Sequence, residues 1–157
     1  MSTPSTRYRE SLTPAPWVFL STALVMPASL LVFLPISLTA GILVAVGLYA
    51  AIVILLIATT PRIEVDDTEL RAGRARLPLS VVADVRAATG DDAVRERGVE
   101  LDARAWMLIR GWIPGLVRVD LDDPQDPTPY WLISSRRPGE LAAAIEAGAA
   151  PGRRPRV

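Results

Sequence analysis

The sequence contains no cysteine and no histidine, and all 17 of its cationic residues are arginine, with no lysine. The absence of Cys excludes disulfides, thiolate nucleophiles and iron–sulfur ligation, and with His also missing, the common zinc and haem ligand sets cannot be assembled. Without Lys there is no Schiff base, no pyridoxal phosphate anchor and no G-x-x-x-x-G-K-[ST] phosphate loop. Ser/His/Asp and Cys/His nucleophile activation fall with His and Cys. Carboxylates, Arg, Tyr and Ser are the groups left for chemistry. A non-enzymatic chain with no cofactor and no metal is expected.

Charge is also missing over a long run. The 17 Arg and 17 acidic residues cancel over 157 residues, yet none falls within the 51 positions from 11 to 61. A soluble fold of this size has no place for such a stretch, so part of the chain is expected in a membrane. Residues 17–34 are uncharged and at ~1.5 Å per residue span roughly 27 Å, close to a ~30 Å hydrocarbon core. Trp17 suits the headgroup level. Pro27 predicts a kink, because its missing N–H leaves one helical bond unmade. Pro35, Ser37 and Thr39 interrupt the run, and residues 40–60 supply a second span. One continuous helix of 51 residues would be about 77 Å long, more than twice the membrane, so a hairpin over 17–60 is expected. Gly41 with Ala45, and Gly47 with Ala51, have the small-xxx-small spacing of close helix contacts, which an Ala-rich helix also produces by chance.

Arginines flank the hairpin: Arg7 and Arg9 precede it, Arg62, Arg71, Arg74 and Arg76 follow it, and the turn near Pro35 has none. The positive-inside rule then places both termini in the cytoplasm at the plasma (inner) membrane. A cleaved signal peptide is the rival for the first span, but the region around Ala28 is a poor cleavage site. Only Tyr49 is ionisable within the spans, which disfavours a transporter or pump. Residues 1–16, rich in Ser, Thr and Pro, read as a flexible tail.

Residues 62–147 carry 12 Arg against 16 Asp and Glu, enough chain for a small core. The apolar period is mostly two: Ile63 and Val65, then Leu70, Leu77 and Leu79, then Val81, Val82 and Val85. Residues 89–98 read as a polar loop or hairpin tip, and Val99 and Leu101 resume the alternation. Val117, Val119 and Leu121 oppose Arg118, Asp120 and Asp122, the clearest strand. After a turn stiffened by Pro124, Pro127 and Pro129, Tyr130 to Ile133 return as another strand. The period then changes to 3.6 over 138–147, with Pro138 in the first turn, Glu140 at the N-terminal dipole and Gly148 as the stop. Residues 148–157 read as a basic disordered tail. The predicted class is α+β: a transmembrane hairpin followed by a small antiparallel barrel or sandwich with one C-terminal helix.

Residues 110–141 (RGWIPGLVRVDLDDPQDPTPYWLISSRRPGEL), with the hairpin and a Y-x-E-x-L pattern at Tyr8, Glu10 and Leu12, resemble an actinobacterial domain-of-unknown-function family of small two-span membrane proteins. The resemblance covers nearly the whole chain and implies a cytoplasmic domain similar to the bacterial pleckstrin-homology-like fold. It brings no activity and no catalytic residue.

Candidate sites come from the residues themselves. Asp122, Asp123 and Asp126 read either as a cation or acid/base site or, preferably, as ordinary turn residues. Trp106, Trp112, Tyr130 and Trp131 read either as core or as a ligand groove. Because neighbours on a strand face opposite ways, one of Tyr130 and Trp131 is expected outward. Arg110, Trp112, Asp122, Asp126, Tyr130, Trp131, Arg136 and Arg137 form the candidate interaction surface, with Arg136 and Arg137 suited to an acidic partner. Arg62, Arg71, Arg74 and Arg76 either contact lipid headgroups or only set topology. Nucleic acid is disfavoured by the acidic balance of the domain. The expected function is a membrane-anchored module that binds a protein or lipid. Two alternatives are a carboxylate-dependent enzyme on a membrane-bound substrate and an accessory subunit of an envelope complex.

Overall fold

The computed structural model describes residues 6–149; the expected looseness of residues 1–5 and of the basic tail from 150 onward lies outside the described residues. Two compact units emerge, one from Thr13–Thr60 and the other from the chain on either side of it.

In the first unit, α1 (Pro16–Thr22) and α2 (Val25–Phe33) form one apolar stretch broken at Ala23 and Leu24, and α3 (Leu38–Ala58) follows. The break has its cause in Pro27. Lacking an N–H, Pro27 gives nothing to the Ala23 carbonyl, which accepts instead from Met26 N at 3.0 Å, the tighter three-residue spacing. The kink predicted at Pro27 therefore falls one turn ahead of it. Ser37 Oγ caps α3 by accepting from Ala40 N at 3.4 Å. Gly41 and Ala45 are buried, and a Cβ on Gly41 would come within 3.1 Å of Phe33 Cβ, so this pair marks the contact of α2 with α3. Gly47 faces open space and Ala51 is exposed, so the second small-residue pair makes no such contact. Most large side chains here point outward, among them Leu20, Leu31, Leu43 and Ile54. Pro16–Phe33 and Leu38–Ala58 are each long and apolar enough to cross a membrane.

The second unit is α+β. Its first sheet takes β1 (Tyr8–Ser11), β2 (Arg62–Val65), β3 (Glu69–Ala72) and β4 (Ala75–Pro78), antiparallel and in that order. Turn chemistry sets the register. Asp66 Oδ1 accepts from Thr68 N and Glu69 N, both at 2.8 Å, between β2 and β3. Gly73, at φ +62°, opens the two-residue turn into β4. A short 3-10 turn (Leu79–Val81) leads to β5 (Val82–Ala88), followed by α4 (Gly90–Arg97), β6 (Trp106–Leu108), β7 (Leu116–Leu121), β8 (Tyr130–Ser134) and α5 (Pro138–Ala149). The second sheet has the order β5-β7-β8-β6, with β6 parallel to β8 and the other pairs antiparallel.

The main core lies among the two sheets and α5. It gathers Leu12, Ile63, Val65, Leu70, Val117, Val119, Trp131, Ile133, Leu141 and Ile145. A smaller core on the other face of the second sheet joins Ala88, Ala93, Ala105, Leu116, Tyr130 and Leu132. Val117 and Val119 face the main core and Arg118 and Asp120 take the opposite face of the sheet, as the alternation predicts.

Five expectations are corrected. Residues 8–11 are not a flexible tail but an edge strand whose alternation buries Tyr8 and Glu10 and continues to fully buried Leu12. Residues 89–98 are not a loop: Asp91 and Asp92 in the first turn and Arg95 and Arg97 in the last complement the dipole of α4. Val99 and Leu101 lie in no strand. Gly148 does not stop α5, which continues to Ala149. A Cβ there would meet Leu79 Cδ1 at 2.3 Å and Asp66 O at 3.3 Å, so this glycine serves close packing. The two sheets form no closed barrel.

Candidate functional site

The densest polar cluster joins the start of the chain to the end of β8. Tyr8, Glu10 and Leu12 share the inner face of β1 by strand alternation, which brings a carboxylate into the protein interior. Glu10 Oε2 accepts from Tyr8 Oη at 2.7 Å and Ser135 Oγ at 2.6 Å, and Glu10 Oε1 accepts from Arg136 N at 2.9 Å. Ser135 Oγ in turn accepts from Arg137 N at 3.0 Å. A buried carboxylate is tolerated only with such a set of donors. Burial pushes the Tyr8 phenol up from 10.0 to about 12, aided by the Glu10 charge and opposed by the Ser135 hydrogen bond.

Arg136 and Arg137 complete this clasp from outside. Arg136 Nη1 donates to Ser11 O at 3.0 Å and Arg137 Nη2 to Arg9 O at 3.4 Å, covering carbonyls of the edge strand. The Arg137 guanidinium also lies 5.1 Å from the centre of the Tyr8 ring and pairs with Glu140 at 2.9 Å. The two arginines expected to dock an acidic partner thus hold β1 in place. Sequence reasoning missed Glu10 and Ser135, although the Y-x-E-x-L spacing carried the signal.

A second cluster also escaped sequence reasoning. Arg118 Nη1 pairs with Glu96 Oε2 of α4 at 3.0 Å and Arg118 Nε with Asp120 Oδ1 at 2.9 Å, while Arg86 Nη2 reaches Asp120 Oδ2 at 2.9 Å. Burial works against the Arg118 cation, but its bonds to Glu96 and Asp120 outweigh that and raise its pKa. Its guanidinium sits 3.8 Å from the centre of the Tyr130 ring.

The predicted aromatic surface is therefore not a surface at its centre. Tyr130 and Trp131 face opposite ways, as expected, yet both are buried. Trp131 stacks on Trp106 at 4.0 Å in the main core. Tyr130 lies in the smaller core, where its hydroxyl accepts from Asp102 N at 2.7 Å and donates to Glu100 O at 3.2 Å. The expectation of an outward ring fails because α4 and residues 100–105 cover the face that a loop would have left open. Trp112 packs against the main core with Nε1 buried and no hydrogen-bond partner. Arg110 lies 5.9 Å from the Trp112 ring, and Arg110 N donates to Ser134 Oγ at 2.9 Å.

Asp123 and Asp126 serve the turn with their side chains, whereas Asp122 is tied through its backbone to the segment before β5. Asp122 N donates to Val81 O at 2.8 Å, Asp123 Oδ1 accepts from Gln125 N at 2.9 Å, and Asp126 Oδ1 accepts from Thr128 N at 2.8 Å. Hydrogen bonds from the Thr128 side chain and backbone hold the Asp126 carboxyl below its usual value. No cluster of three or more carboxylates suited to a metal ion occurs among the described residues.

The four arginines after the hairpin separate into two groups. Arg71 pairs with Glu69 and, at 3.9 Å, with Asp66; Arg76 lies 3.9 Å from Glu69. Arg62 and Arg74 are exposed, and among the described residues neither has an ion pair.

These features define a class: an α+β unit built from two four-stranded sheets and a C-terminal helix, into which two apolar helices are inserted between neighbouring strands. A family model described as "Protein of unknown function (DUF3093)" matches residues 7–145, and the chain belongs to that family. The match takes in β1, the hairpin and the first two thirds of α5. No curated protein and no solved structure matches the sequence.

Proposed function

We propose that this is a membrane-anchored interaction protein in which residues 13–60 cross the inner membrane twice and both termini are cytoplasmic. The α+β unit then works at the cytoplasmic face as a pleckstrin-homology-like module that binds a protein or lipid partner and catalyses no reaction. The observation that carries this reading is the insertion point. Leu12 N donates to Pro61 O at 3.0 Å, and β1 pairs with β2, so the chain leaves and re-enters one sheet at adjacent positions. Hydrogen-bonded strands share one side of a membrane, so the helices between them cross it an even number of times. The arginines flanking the hairpin favour the cytoplasm for that side. Two four-stranded sheets with a C-terminal helix against them support the module reading, and the turn-bound aspartates, with no His, Cys or Lys, support a non-catalytic role.

The chain has no cysteine, so single thiols report topology directly. With a membrane-impermeant maleimide, Ile36→Cys in the turn between α2 and α3 should label in intact cells. Ser80→Cys should label only after lysis. The reverse pattern, or labelling of both in intact cells, overturns the reading. For the partner, crosslinking from the exposed loop at 124–127 should recover one reproducible protein or lipid species; random recovery counts against a binding role for that loop.

A further inference from the structure

The first sheet has unequal ends. At the end where the chain passes to and from residues 13–60, Arg62 pairs in register with Ser11, and Gly73 N donates to Arg62 O at 2.8 Å, which sets the Gly73–Arg74 turn beside Arg62. Arg136 reaches the same end through Ser11 O. Glu10, next to Ser11 in β1, is buried and held by Tyr8, Ser135 and Arg136 N. In the next row Glu64 is paired with Arg9 at 2.9 Å. At the far end the β2–β3 turn gathers Asp66, Asp67 and Glu69, with Arg7 on Asp67 at 2.6 Å. Arg62 and Arg74, which have no ion pair among the described residues, thus stand at one end of the sheet, while the acids of the other end are matched by Arg7, Arg71 and Arg76.

Covalent reach places the basic end. Arg62 follows Ala58, the last residue of α3, by four positions, and four extended residues span at most about 14 Å. Such a tether keeps Arg62 close to a charged bilayer surface, whose field decays over about 8–10 Å at physiological salt, so that an arginine side chain extended back toward α3 reaches that field. We propose that Arg62 and Arg74 form a contact for the anionic headgroups of membrane phospholipids, and that Arg71 and Arg76, turned to Glu69, do not. This assignment rests on the membrane-anchored reading and names the lipid chemistry at its cytoplasmic edge. Two arginines at an anionic surface shift the bound over the unbound population by about fivefold each, on the order of 25-fold together.

The test uses the full chain in nanodiscs of phosphatidylcholine alone or with one third phosphatidylglycerol, and follows amide hydrogen exchange in residues 70–77 by mass spectrometry. Nanodiscs expose both faces, so the outcome does not depend on cellular orientation. Exchange should slow in the anionic discs, and high salt should abolish the difference. The Arg62→Ala/Arg74→Ala chain should lose the difference while keeping its circular dichroism. Arg95→Ala/Arg104→Ala, with the same change in net charge, should keep it. Equal exchange in the two discs, or an unaltered response in Arg62→Ala/Arg74→Ala, overturns the proposal and leaves the anchor standing. A chain that does not enter the discs overturns both.

Discussion

Residues 13–60 and the α+β unit manage polar groups in opposite ways. The helical unit has none that are charged: its backbone bonds close within each helix, and large apolar side chains face outward. The α+β unit buries its apolar side chains and uses charged ones as ties between distant segments, Glu10 to β8 and Arg118 to α4. The difference teaches where each unit's stability arises. The α+β unit carries its own core, but that core is incomplete without a strand encoded before the helices.

The largest effect that tests this contrast is loss of β1. Deleting residues 1–12 removes buried Tyr8 and Leu12 and the carboxylate that Ser135 serves. The expected cost is about 5 kcal/mol, near the whole stability of a small domain. Circular dichroism should show a poorly folded β unit while helical signal from α1–α3 persists. Conversely, replacing residues 13–60 by a two-residue Asn-Gly turn should give a folded, detergent-free α+β unit, because Leu12 and Pro61 are already hydrogen-bonded neighbours. A molten or aggregated product would show that the α+β unit depends on the helices.

Next in size is Glu10→Ala, which leaves Tyr8 Oη, Ser135 Oγ and Arg136 N without their acceptor. It should cost about 3 kcal/mol in denaturant titration followed by tryptophan fluorescence, with Glu10→Gln losing less. Gly115→Ala follows. A Cβ at Gly115 would lie 2.6 Å from Ser135 O, a backbone atom that cannot step aside. A loss of about 2 kcal/mol is expected, with no change in the helical unit.

The smallest effect concerns pH. Tyr8 binds its proton more tightly when folded, with a pKa raised from 10.0 to about 12. Its contribution to stability is therefore fully present below pH 10 and declines as pH rises through about 12. Tyr8→Phe should flatten the part of the alkaline loss that Tyr8 carries. Ultraviolet titration should find a late-ionising phenolate in the wild type that the variant lacks.

Much of this organisation was legible in the sequence. The hairpin announces itself by the absence of charge, and β7 by strict alternation of Val117 and Val119 with Arg118 and Asp120. What escaped has physical reasons. β1 hides because one of its inward positions is a glutamate, which periodicity counts as polar and only a distant Ser135 and Arg136 make acceptable. Helix α4 hides because it presents a single small apolar residue, Ala93, to the core while Val94 stays exposed; its charge bias at the two ends was the readable sign. Missing α4 also meant missing the cover over Tyr130. The parallel pairing of β6 with β8 joins Trp106 to Trp131 across 24 intervening residues, and no local pattern encodes that.

Placing β1 ahead of the helices has a consequence for biosynthesis. Ile63 and its neighbours emerge from the ribosome about fifty residues after the strand they pair with, so the edge of the sheet closes only after both helices have been made. On the membrane-anchored reading proposed above, a nascent chain that inserted one helix and stranded the other would hold Tyr8 and Val65 on opposite sides of the bilayer, leaving Ser135 without Glu10. Such a product would expose apolar surface and invite proteolysis. On that reading, pairing of β1 with β2 reports that both helices of the hairpin have been threaded.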